Sequence, residues 1–311
     1  MTVTRESLSD AVILIDKPTG MTSFDVIAVL RKLIGTRKIG HSGTLDKAAS
    51  GLLVVCTGRL TRLAFHLTEK EKSYAATVSL GTVTDSCDSE GIIISRHDFS
   101  DVTEKMVLDA IESFKGEILQ KPPVFSALKI GGKRASDRAR GGEEIEMKER
   151  PVTIHRMDMI RFDSAKGTIE LEIDCSKGTY IRSLARDIGG KLGCGAYLSS
   201  LRRTRCGEHR IESSLTPDEL RKVLDGSECA GCDRKFLLSA SEAMKGMSLM
   251  VLDAPGAEKV SHGGFFTPEN VLFRDQTPGL RYAVEDEGKN LIAIADVDID
   301  NWSINYLNVF N

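Results

Sequence analysis

The sequence predicts an α+β protein with two domains, a larger one of mixed helices and strands and a small C-terminal β domain. The chain has 311 residues, which is more than a single hydrophobic core usually organises. Helix-like and strand-like segments are interspersed through residues 1–235. Residues 248–311 instead show short strand-like runs broken by Gly, Pro and Asp. We therefore place one domain in each range, with a linker within residues 226–247.

The larger domain begins with a strand and a helix. Residues 11–16 are apolar and predict a buried strand, which Pro18 and Gly20 end. Apolar residues then recur at helical spacing, and they predict a helix that Ser23 caps and Gly35 ends.

A Gly-rich polar loop follows this helix and leads into two further strands. The loop covers residues 36–46 and ends at Asp46. Residues 52–56 are apolar on both faces, which predicts a central strand. The alternation over residues 74–80 predicts a strand with one buried face.

The rest of the larger domain combines helices, a strand and a long charged loop. Residues 103–115 and 182–192 have helical spacing, and Gly193 ends the second helix. Residues 168–175 alternate as a strand. Residues 121–150 carry two prolines, four glycines and many charges. Such a segment predicts a functional loop, because structureless loops of this length are otherwise uncommon.

Two further signals lie towards the C-terminus. Thr216 and Glu219 form a capping box with Pro at the first helical position, so a helix is predicted to start there. Residues 291–297 give the clearest strand of the small domain.

Composition bounds the class of protein. Apolar residues make up 41% and charged residues 28%, which is ordinary for a globular protein. The N-terminus lacks the pattern of a signal peptide, and the longest apolar runs are strand-sized, so we expect no membrane span. Seven cysteines, an odd number, argue against a disulfide framework. We expect a cytoplasmic protein.

Basic residues concentrate in two segments, although the whole chain has a net charge of −3. Residues 177–210 carry +6 and residues 121–156 carry +4, whereas residues 240–311 carry −6. One charge run alone is usually a solvated face. Two basic segments set against an acidic C-terminal domain favour a local surface that binds a polyanion.

Two pairs of residues have the spacing of zinc ligands. Cys206 and His209 form one pair, and Cys229 and Cys232 form the other, each with a two-residue gap. The first pair lies in an Arg-rich segment and the second in a segment rich in Gly, Ser and Asp, so structural zinc is the less favoured interpretation. Metal analysis of protein purified without chelators tests it.

The loop that precedes Asp46 nearly matches a phosphate-binding P-loop, but two physical mismatches exclude that function. His41 replaces the lysine that reaches the outer phosphates, and the loop follows a helix where a P-loop follows a strand. We interpret the loop instead as a support for Asp46, because Gly40 and Gly43 permit close backbone approach.

The residues alone leave the chemistry of Asp46 open. An isolated Asp in a loop usually caps a turn. A retaining glycosidase needs a second carboxylate about 5 Å away, and Asp85 and Asp88 are the nearest candidates in the sequence. The residues alone therefore leave open a nucleoside or glycoside hydrolase and a non-catalytic RNA-binding protein or chaperone.

Six blocks of the chain resemble the bacterial TruB family of tRNA pseudouridine synthases. They follow the family's order and span residues 13–205. Each block is weak alone, but six in order are highly specific. The blocks are Ile15–Ser23, Gly40–Asp46, Lys72–Tyr74, Gln120–Lys129, Cys175–Arg182 and Leu201–Thr204.

The resemblance implies both fold and activity. The family fold is a mixed, mainly antiparallel sheet with flanking helices, followed by a small β domain of the PUA type, which fits residues 248–311. The implied reaction is isomerisation of uridine 55 in the tRNA T loop to pseudouridine, without a cofactor. The implied partner is tRNA. The resemblance implies no protein partner and no membrane, and we expect a monomer.

The resemblance assigns the central chemistry to three residues. Asp46 is the implied nucleophile, Arg182 pairs with it, and Tyr74 stacks on the target uracil. A guanidinium suits this place because it stays charged and binds a carboxylate with two hydrogen bonds. Burial raises the pKa of a carboxyl group and a neighbouring guanidinium lowers it. By residue type alone, Arg182 is better explained by a phosphate contact and Tyr74 by a place in the core.

The remaining implied roles concern the pocket and the RNA. Tyr180 and Leu201 line the pocket, His41 occupies the place that the flipped base vacates, and Lys17 supports the site. The loop 121–150 closes over RNA in the family. The expected RNA-binding cations in the basic segments are Lys129, Arg134, Arg202 and Arg203.

Three positions depart from the family pattern. Lys47 stands where a proline usually follows the nucleophile, Ser136 where a tyrosine is usual, and Tyr197 where a histidine is usual. The first departure removes a constraint on the catalytic loop, and the other two put local RNA contacts in doubt.

Overall fold

The structure is a computed structural model that describes residues 3–126, 128–143, 145–227, 234–275 and 280–310. Within these ranges the chain forms a ten-stranded sheet, a five-stranded sheet and two small two-stranded sheets, with helices around them. This arrangement confirms the α+β class.

The strands up to residue 238 carry the larger domain. In chain order they are β1 (Val12–Lys17), β2 (Ile39–His41), β3 (Ser50–Thr57), β4 (Lys72–Leu80), β5 (Thr82–Thr84), β6 (Ile93–Arg96), β7 (Gly116–Gln120), β8 (Lys129–Ile130), β9 (Lys133–Arg134), β10 (Arg150–Asp163), β11 (Thr168–Cys175), β12 (Ala196–Cys206), β13 (His209–Arg210) and β14 (Leu237–Leu238).

The helices and the C-terminal strands complete the description. The α-helices are α1 (Ser23–Ile34), α2 (Ala64–Thr68), α3 (Glu104–Glu112), α4 (Ala135–Arg140), α5 (Ile181–Lys191), α6 (Pro217–Leu224), α7 (Ala240–Ala243) and α8 (Ala254–Ser261). The C-terminal strands are β15 (Ser248–Leu252), β16 (Val271–Arg274), β17 (Arg281–Glu285), β18 (Leu291–Asp298) and β19 (Ser303–Val309).

The large sheet is mixed but mainly antiparallel, as predicted. Its order is β14-β1-β3-β12-β4-β11-β10-β7, with β2 beside β3 and β13 beside β12. Of its pairs, β12 with β3 is parallel, and it joins Arg203 to Gly51. The strand β3 is almost fully buried and lies inside the sheet, which confirms the prediction for residues 52–56.

The first helix differs from the prediction at its start. Thr22, and not Ser23, is the N-cap, because its hydroxyl accepts from the backbone N–H of Asp25 in a capping box. The Ser23 hydroxyl is instead buried and bonded to both backbone groups of Leu45, with its oxygen 2.9 Å from the Leu45 nitrogen. The helix ends at Gly35 as predicted, with a left-handed φ of 81°.

The predicted linker within residues 226–247 is wrong where the structure describes it. Phe236, Ala243 and Met244 are buried in the core that contains β1 and β3, and β14 pairs with β1. Residues 228–233 lie outside the described ranges. A short apolar run without clear periodicity gives no signal for a helix or a strand, so the sequence predicts a linker there. It is part of the core because β14 pairs with the edge of β1.

The charged segment 121–150 is not wholly irregular. It contains the hairpin β8–β9 and the short helix α4. Most of its described residues are nonetheless exposed or half-buried, which fits a loop that projects from the sheet.

The C-terminal domain packs directly against the larger one. Its five-stranded sheet has the order β16-β15-β17-β18-β19. Ala283, Leu291 and Phe310 are buried in the same core cluster as β1 and β3. The guanidinium of Arg62 donates to the Val309 carbonyl over 2.9 Å across the boundary. Among the described residues, no helix is long and apolar enough to cross a membrane.

Candidate active site

A cleft of about 370 Å³ opens where four elements of the large sheet and its helices converge. They are the loop after β2, the start of β4, the first turn of α5 and the middle of β12. The predicted residues that line it are Asp46, Tyr74, Tyr180, Arg182, Leu201 and Arg203.

Asp46 and Arg182 meet at the base of this cleft, although 136 residues separate them in the chain. Arg182 Nε lies 2.9 Å from Asp46 Oδ2, and Nη2 donates to Oδ1 over 3.3 Å. The arginine side chain is 6% exposed and the aspartate side chain is 41% exposed. One hydrogen bond and one close ion-pair contact from the arginine therefore hold the carboxylate, and its other side is open to the cleft.

The other donors of Arg182 are also engaged. Nη2 donates to the Phe125 carbonyl over 2.9 Å, and Nη1 donates to the Ser86 carbonyl over 3.1 Å. Nη1 also lies 3.3 Å from Asp88 Oδ2. Three hydrogen bonds and two ion-pair contacts therefore restrict the arginine side chain beside Asp46.

Asp88, which the sequence offered only as a candidate second carboxylate for a hydrolase, contacts Arg182 in this site. It is buried, and its Oδ1 accepts from the Ser86 hydroxyl over 2.5 Å and from the Glu90 N–H over 3.0 Å. An Asp- and Ser-rich run is the only signal in the sequence, and such runs are common in turns.

The surroundings of Asp88 bear on the hydrolase alternative. The Asp88 carboxylate, one candidate for the second carboxylate of a hydrolase, lies 3.3 Å from Arg182 Nη1 and accepts two hydrogen bonds. The other candidate, Asp85, uses its Oδ1 to accept from the Ile92 N–H over 2.8 Å. Both carboxylates are therefore engaged with neighbouring groups of the protein.

Burial raises the pKa of Asp46 above its ordinary value of 3.8. The Arg182 guanidinium and the Lys17 ammonium oppose that rise, and the charges of Asp88 and Glu90 add to it. The net direction is upward, so the guanidinium offsets only part of the desolvation.

Two aromatic side chains and a leucine form the walls of the cleft. Tyr74 lies on β4 opposite Arg203 of β12, and burial raises the pKa of its phenol to about 12, so the ring stays neutral. Tyr74 also packs against the core cluster that contains Val78. Its side chain therefore contacts the core and lines the cleft at the same time. Tyr180 is the N-cap residue of α5, and Leu201 lies on β12.

Lys17 is fully buried and supports the turn beside the catalytic loop. Its ammonium donates to the carbonyls of Pro18 and Met21 over 2.9 and 2.6 Å. Burial lowers the pKa of Lys17 to about 8, against the opposing charge of Asp46. In the same turn the Gly20 N–H donates to the Lys47 carbonyl, which ties the turn to the residue after Asp46.

The two arginines of β12 that we expected to bind RNA are engaged within the protein. Arg203 is 2% exposed, and it donates to the carbonyls of Leu52 and Gly43 over 2.7 and 3.2 Å. Arg202 forms a two-bond ion pair with Asp16, at 3.1 and 2.7 Å. Sequence position in a basic segment did not reveal these partners, because burial depends on which strands pair.

The remaining predicted binding residues lie away from the cleft lining. His41 is on β2, burial lowers its pKa, and its Nδ1 has no hydrogen-bond partner in the described part of the chain. Lys129 and Arg134 are paired across the hairpin β8–β9 in the charged segment.

The possible zinc ligands are only partly within the described residues. Cys206 is buried with its sulfur 3.7 Å from the Leu67 carbonyl, and His209 Nε2 lies 3.0 Å from the Ala243 carbonyl. Cys229 and Cys232 lie outside the described residues. Within the described ranges, no group of three or more His, Cys, Asp or Glu side chains is placed to hold a metal ion.

Family models match two-thirds of the chain. Residues 31–181 match the N-terminal domain of the TruB family of pseudouridylate synthases, and residues 182–239 match the C-terminal domain of tRNA pseudouridylate synthase B.

Curated relatives and solved structures agree with these matches. The tRNA pseudouridine synthase B of Corynebacterium efficiens is 37% identical over 92% of this chain and 95% of its own length. That of Corynebacterium diphtheriae is 45% identical over 70% of this chain and 74% of its own.

Among solved structures, a Cbf5–Nop10–Gar1 complex and an H/ACA RNP bound to a substrate RNA containing 2′-deoxyuridine each contain a chain of similar fold. The identities are 25% and 24%, both TM-scores are 0.77, and both alignments cover 98% of this chain and 86% of the other. These likenesses show a shared pseudouridine synthase fold. The chain belongs to the TruB family of pseudouridylate synthases.

Proposed function

We propose that this protein isomerises uridine 55 in the T loop of tRNA to pseudouridine, with Asp46 as the nucleophile and no cofactor. The observation that carries the proposal is the Asp46 carboxylate, held by one hydrogen bond and one ion-pair contact from a buried arginine and open to a cleft with aromatic walls. The names of the curated relatives support a tRNA substrate.

The chemistry needs no redox change. The bond between C1′ and N1 breaks, the uracil turns, and a bond between C1′ and C5 forms while C5 loses a proton and N1 gains one. A carboxylate that bonds transiently to one fragment holds the reactants together, which is covalent catalysis. Attack at the ribose and attack at the pyrimidine ring both need Asp46 as the anion, which the Arg182 guanidinium stabilises.

The substrate has to leave its stack before it can reach Asp46. Flipping a base out costs a few kcal/mol, which stacking in a pocket offsets in part. In this proposal Tyr74 stacks on the flipped uracil, Tyr180 and Leu201 close the pocket around it, and His41 fills the place that it leaves. The cations of the loop 121–150 neutralise backbone phosphates.

The decisive test uses T-arm RNA with protein alone. Asp46→Asn keeps the shape of the side chain but removes the nucleophile, so we expect no measurable pseudouridine while the RNA still binds. Asp85→Asn is the matched control, because an amide oxygen can still accept from the Ile92 N–H. That control should keep wild-type activity.

The possible results separate the three functions. Pseudouridine at the target position supports the synthase, and a substrate with cytidine at that position should give none. Release of free uracil or sugar would indicate a hydrolase. Tight RNA binding without any product would indicate an RNA-binding protein or chaperone. Full activity of Asp46→Asn would refute the mechanism.

We further propose that the protein acts in the cytoplasm as a monomer. The titles of the similar solved structures describe assemblies with protein partners, so the point needs its own measurement. Light scattering after size exclusion, with and without T-arm RNA, should give the mass of one chain and of a one-to-one complex.

A further inference from the structure

Gln120 makes an unusual contact with the helix that carries Arg182. It is the last residue of the edge strand β7 and is 1% exposed. Its Oε1 accepts from the Tyr180 N–H over 2.8 Å, and its Nε2 donates to the Tyr180 carbonyl over 3.1 Å. One buried amide therefore satisfies both backbone polar groups of the N-cap residue of α5, which has no side-chain cap of its own.

The residues after Gln120 continue this attachment. We call Gln120–Phe125 the loop root, because it leads into the charged loop. The Lys121 carbonyl accepts from the Ser183 hydroxyl over 2.8 Å. The Phe125 carbonyl accepts from Arg182 Nη2 over 2.9 Å. Arg182 and Ser183, two consecutive residues in the first turn of α5, thus both donate hydrogen bonds to carbonyls of the loop root.

We propose that Gln120 is a positioning residue, which fixes the first turn of α5 so that Arg182 makes both its hydrogen bond and its ion-pair contact with Asp46. Gln120 does not line the cleft among the described residues, so it acts through Tyr180 and Arg182 and not on the RNA. This role rests on the proposed function, and it adds a link between the base of the RNA-binding loop and the catalytic pair.

The physical reason is that the contact between Arg182 and Asp46 tolerates little movement of the start of α5. The ion-pair contact between Arg182 Nε and Asp46 Oδ2 is 2.9 Å long, and a modest shift of the helix start lengthens it. Loss of the amide also leaves the Tyr180 N–H without its partner, whereas the Tyr180 carbonyl still accepts from the Leu184 N–H. The helix start then has to move to satisfy that N–H. A displacement of about 1 Å in a catalytic group can lower a rate by about a hundredfold.

Two variants separate positioning from general damage. Gln120→Met keeps the size but removes donor and acceptor, and we expect the single-turnover rate to fall by about tenfold to a hundredfold. The dissociation constant for T-arm RNA should change by less than about twofold, because no RNA contact is lost. Since Arg182 lowers the pKa of Asp46, its looser contact should make this loss worse as the pH falls.

Gln120→Glu should show the opposite pH dependence. The ionised carboxyl group lacks the donor that faces the Tyr180 carbonyl, whereas the protonated group has one donor and one acceptor, as the amide does. The rate relative to wild type should therefore rise as the pH falls. This variant also tests the proposal if Gln120→Met fails to fold.

Asn270→Ala is the control for a lost buried amide. Asn270 is buried in the C-terminal domain and bonded to Asp253 and Thr267, far from the catalytic pair in the fold. It should lower the melting temperature while leaving the rate and its pH profile unchanged. A wild-type rate in Gln120→Met, or pH ratios that do not diverge between the two variants, would overturn the proposal. Failure of the wild-type protein to form pseudouridine at all would instead sink the proposed function.

Discussion

The catalytic pair and the charged loop show two different ways of using arginine and lysine. The Arg182 guanidinium makes hydrogen bonds or ion-pair contacts with Asp46, Asp88 and two backbone carbonyls, and the side chain is buried. In the loop, the Arg140 side chain is exposed and lies 3.8 Å from an exposed Asp137. Water and salt screen such a pair, so it adds little stability. Under the proposed function, the comparison indicates that the Asp46–Arg182 pair is arranged without RNA, whereas the loop has exposed charge with which to bind RNA.

Of the substitutions that test this contrast, Arg182→Lys should have the largest effect. A lysine keeps the charge but cannot make two parallel bonds to Asp46 or reach the other acceptors. Removing one preorganised donor of this kind costs about a hundredfold to a thousandfold in rate. We expect a loss of that size in single-turnover pseudouridine formation, with RNA affinity little changed.

Arg202→Lys is the matched control for that loss. Arg202 also makes two bonds to an aspartate, Asp16, but its side chain is 43% exposed. Exposed pairs are worth about 0 to 1 kcal/mol, so the rate should stay within about threefold of wild type. Equal losses in both variants would show that the burial of Arg182 is not what matters.

Gly51→Ala tests the backbone beside the cleft, where β3 and β12 are paired. Gly51 has a φ of +108°, and an added Cβ would lie 2.3 Å from the Arg203 carbonyl oxygen in the parallel pair of β3 and β12. Strain and overlap of this kind should lower the free energy of unfolding by about 2 to 3 kcal/mol, measured by urea denaturation.

The control for that substitution is Gly190→Ala. Gly190 lies within α5, and an added Cβ there meets nothing within 4 Å. Since alanine is the better helix former, the free energy of unfolding should rise by about 0.5 to 1 kcal/mol. Similar behaviour of the two variants would contradict the close approach of β3 and β12.

Lys133→Gln and Arg140→Gln test whether the charged loop binds RNA. Both residues are exposed on the charged loop. Each substitution should weaken T-arm RNA binding by about threefold to tenfold and reduce the salt dependence of binding by about one phosphate contact. The single-turnover rate at saturating enzyme should not change. Lys105→Gln on α3, which removes the same charge elsewhere, should alter neither property.

The smallest effect concerns the pH at which the catalytic pair becomes active. The anion of Asp46 is the active form, and its pKa is raised, so the rate should fall as the pH decreases through a value above 3.8. Glu90→Gln removes a negative charge that raises this pKa, so the acid limb should move to lower pH. Movement in the other direction in single-turnover pH profiles would contradict the assignment of the limb to Asp46.

Local patterns in the sequence predicted many of the elements. The strand at residues 168–175, the end of α1 at Gly35 and the start of α6 after Thr216 all follow from periodicity and capping. These signals work because they depend on neighbours three or four residues away. Ser23 failed as the N-cap because Thr22 beside it has the same capping chemistry, and only the contact with Leu45 distinguishes the two.

The sequence by itself predicted four of the α-helices that the structure describes, α1, α3, α5 and α6, and five of its strands, β1, β3, β4, β11 and β18. Through six ordered blocks it also predicted the family and its expected nucleophile. The tertiary structure decided what each charged residue does. It brought Asp88 and the Phe125 carbonyl to Arg182, and it buried Arg203 beneath the cleft as a support for Gly43 and Leu52. The physical reason is that burial and pairing are set by which strands become neighbours, and that choice joins residues more than a hundred positions apart.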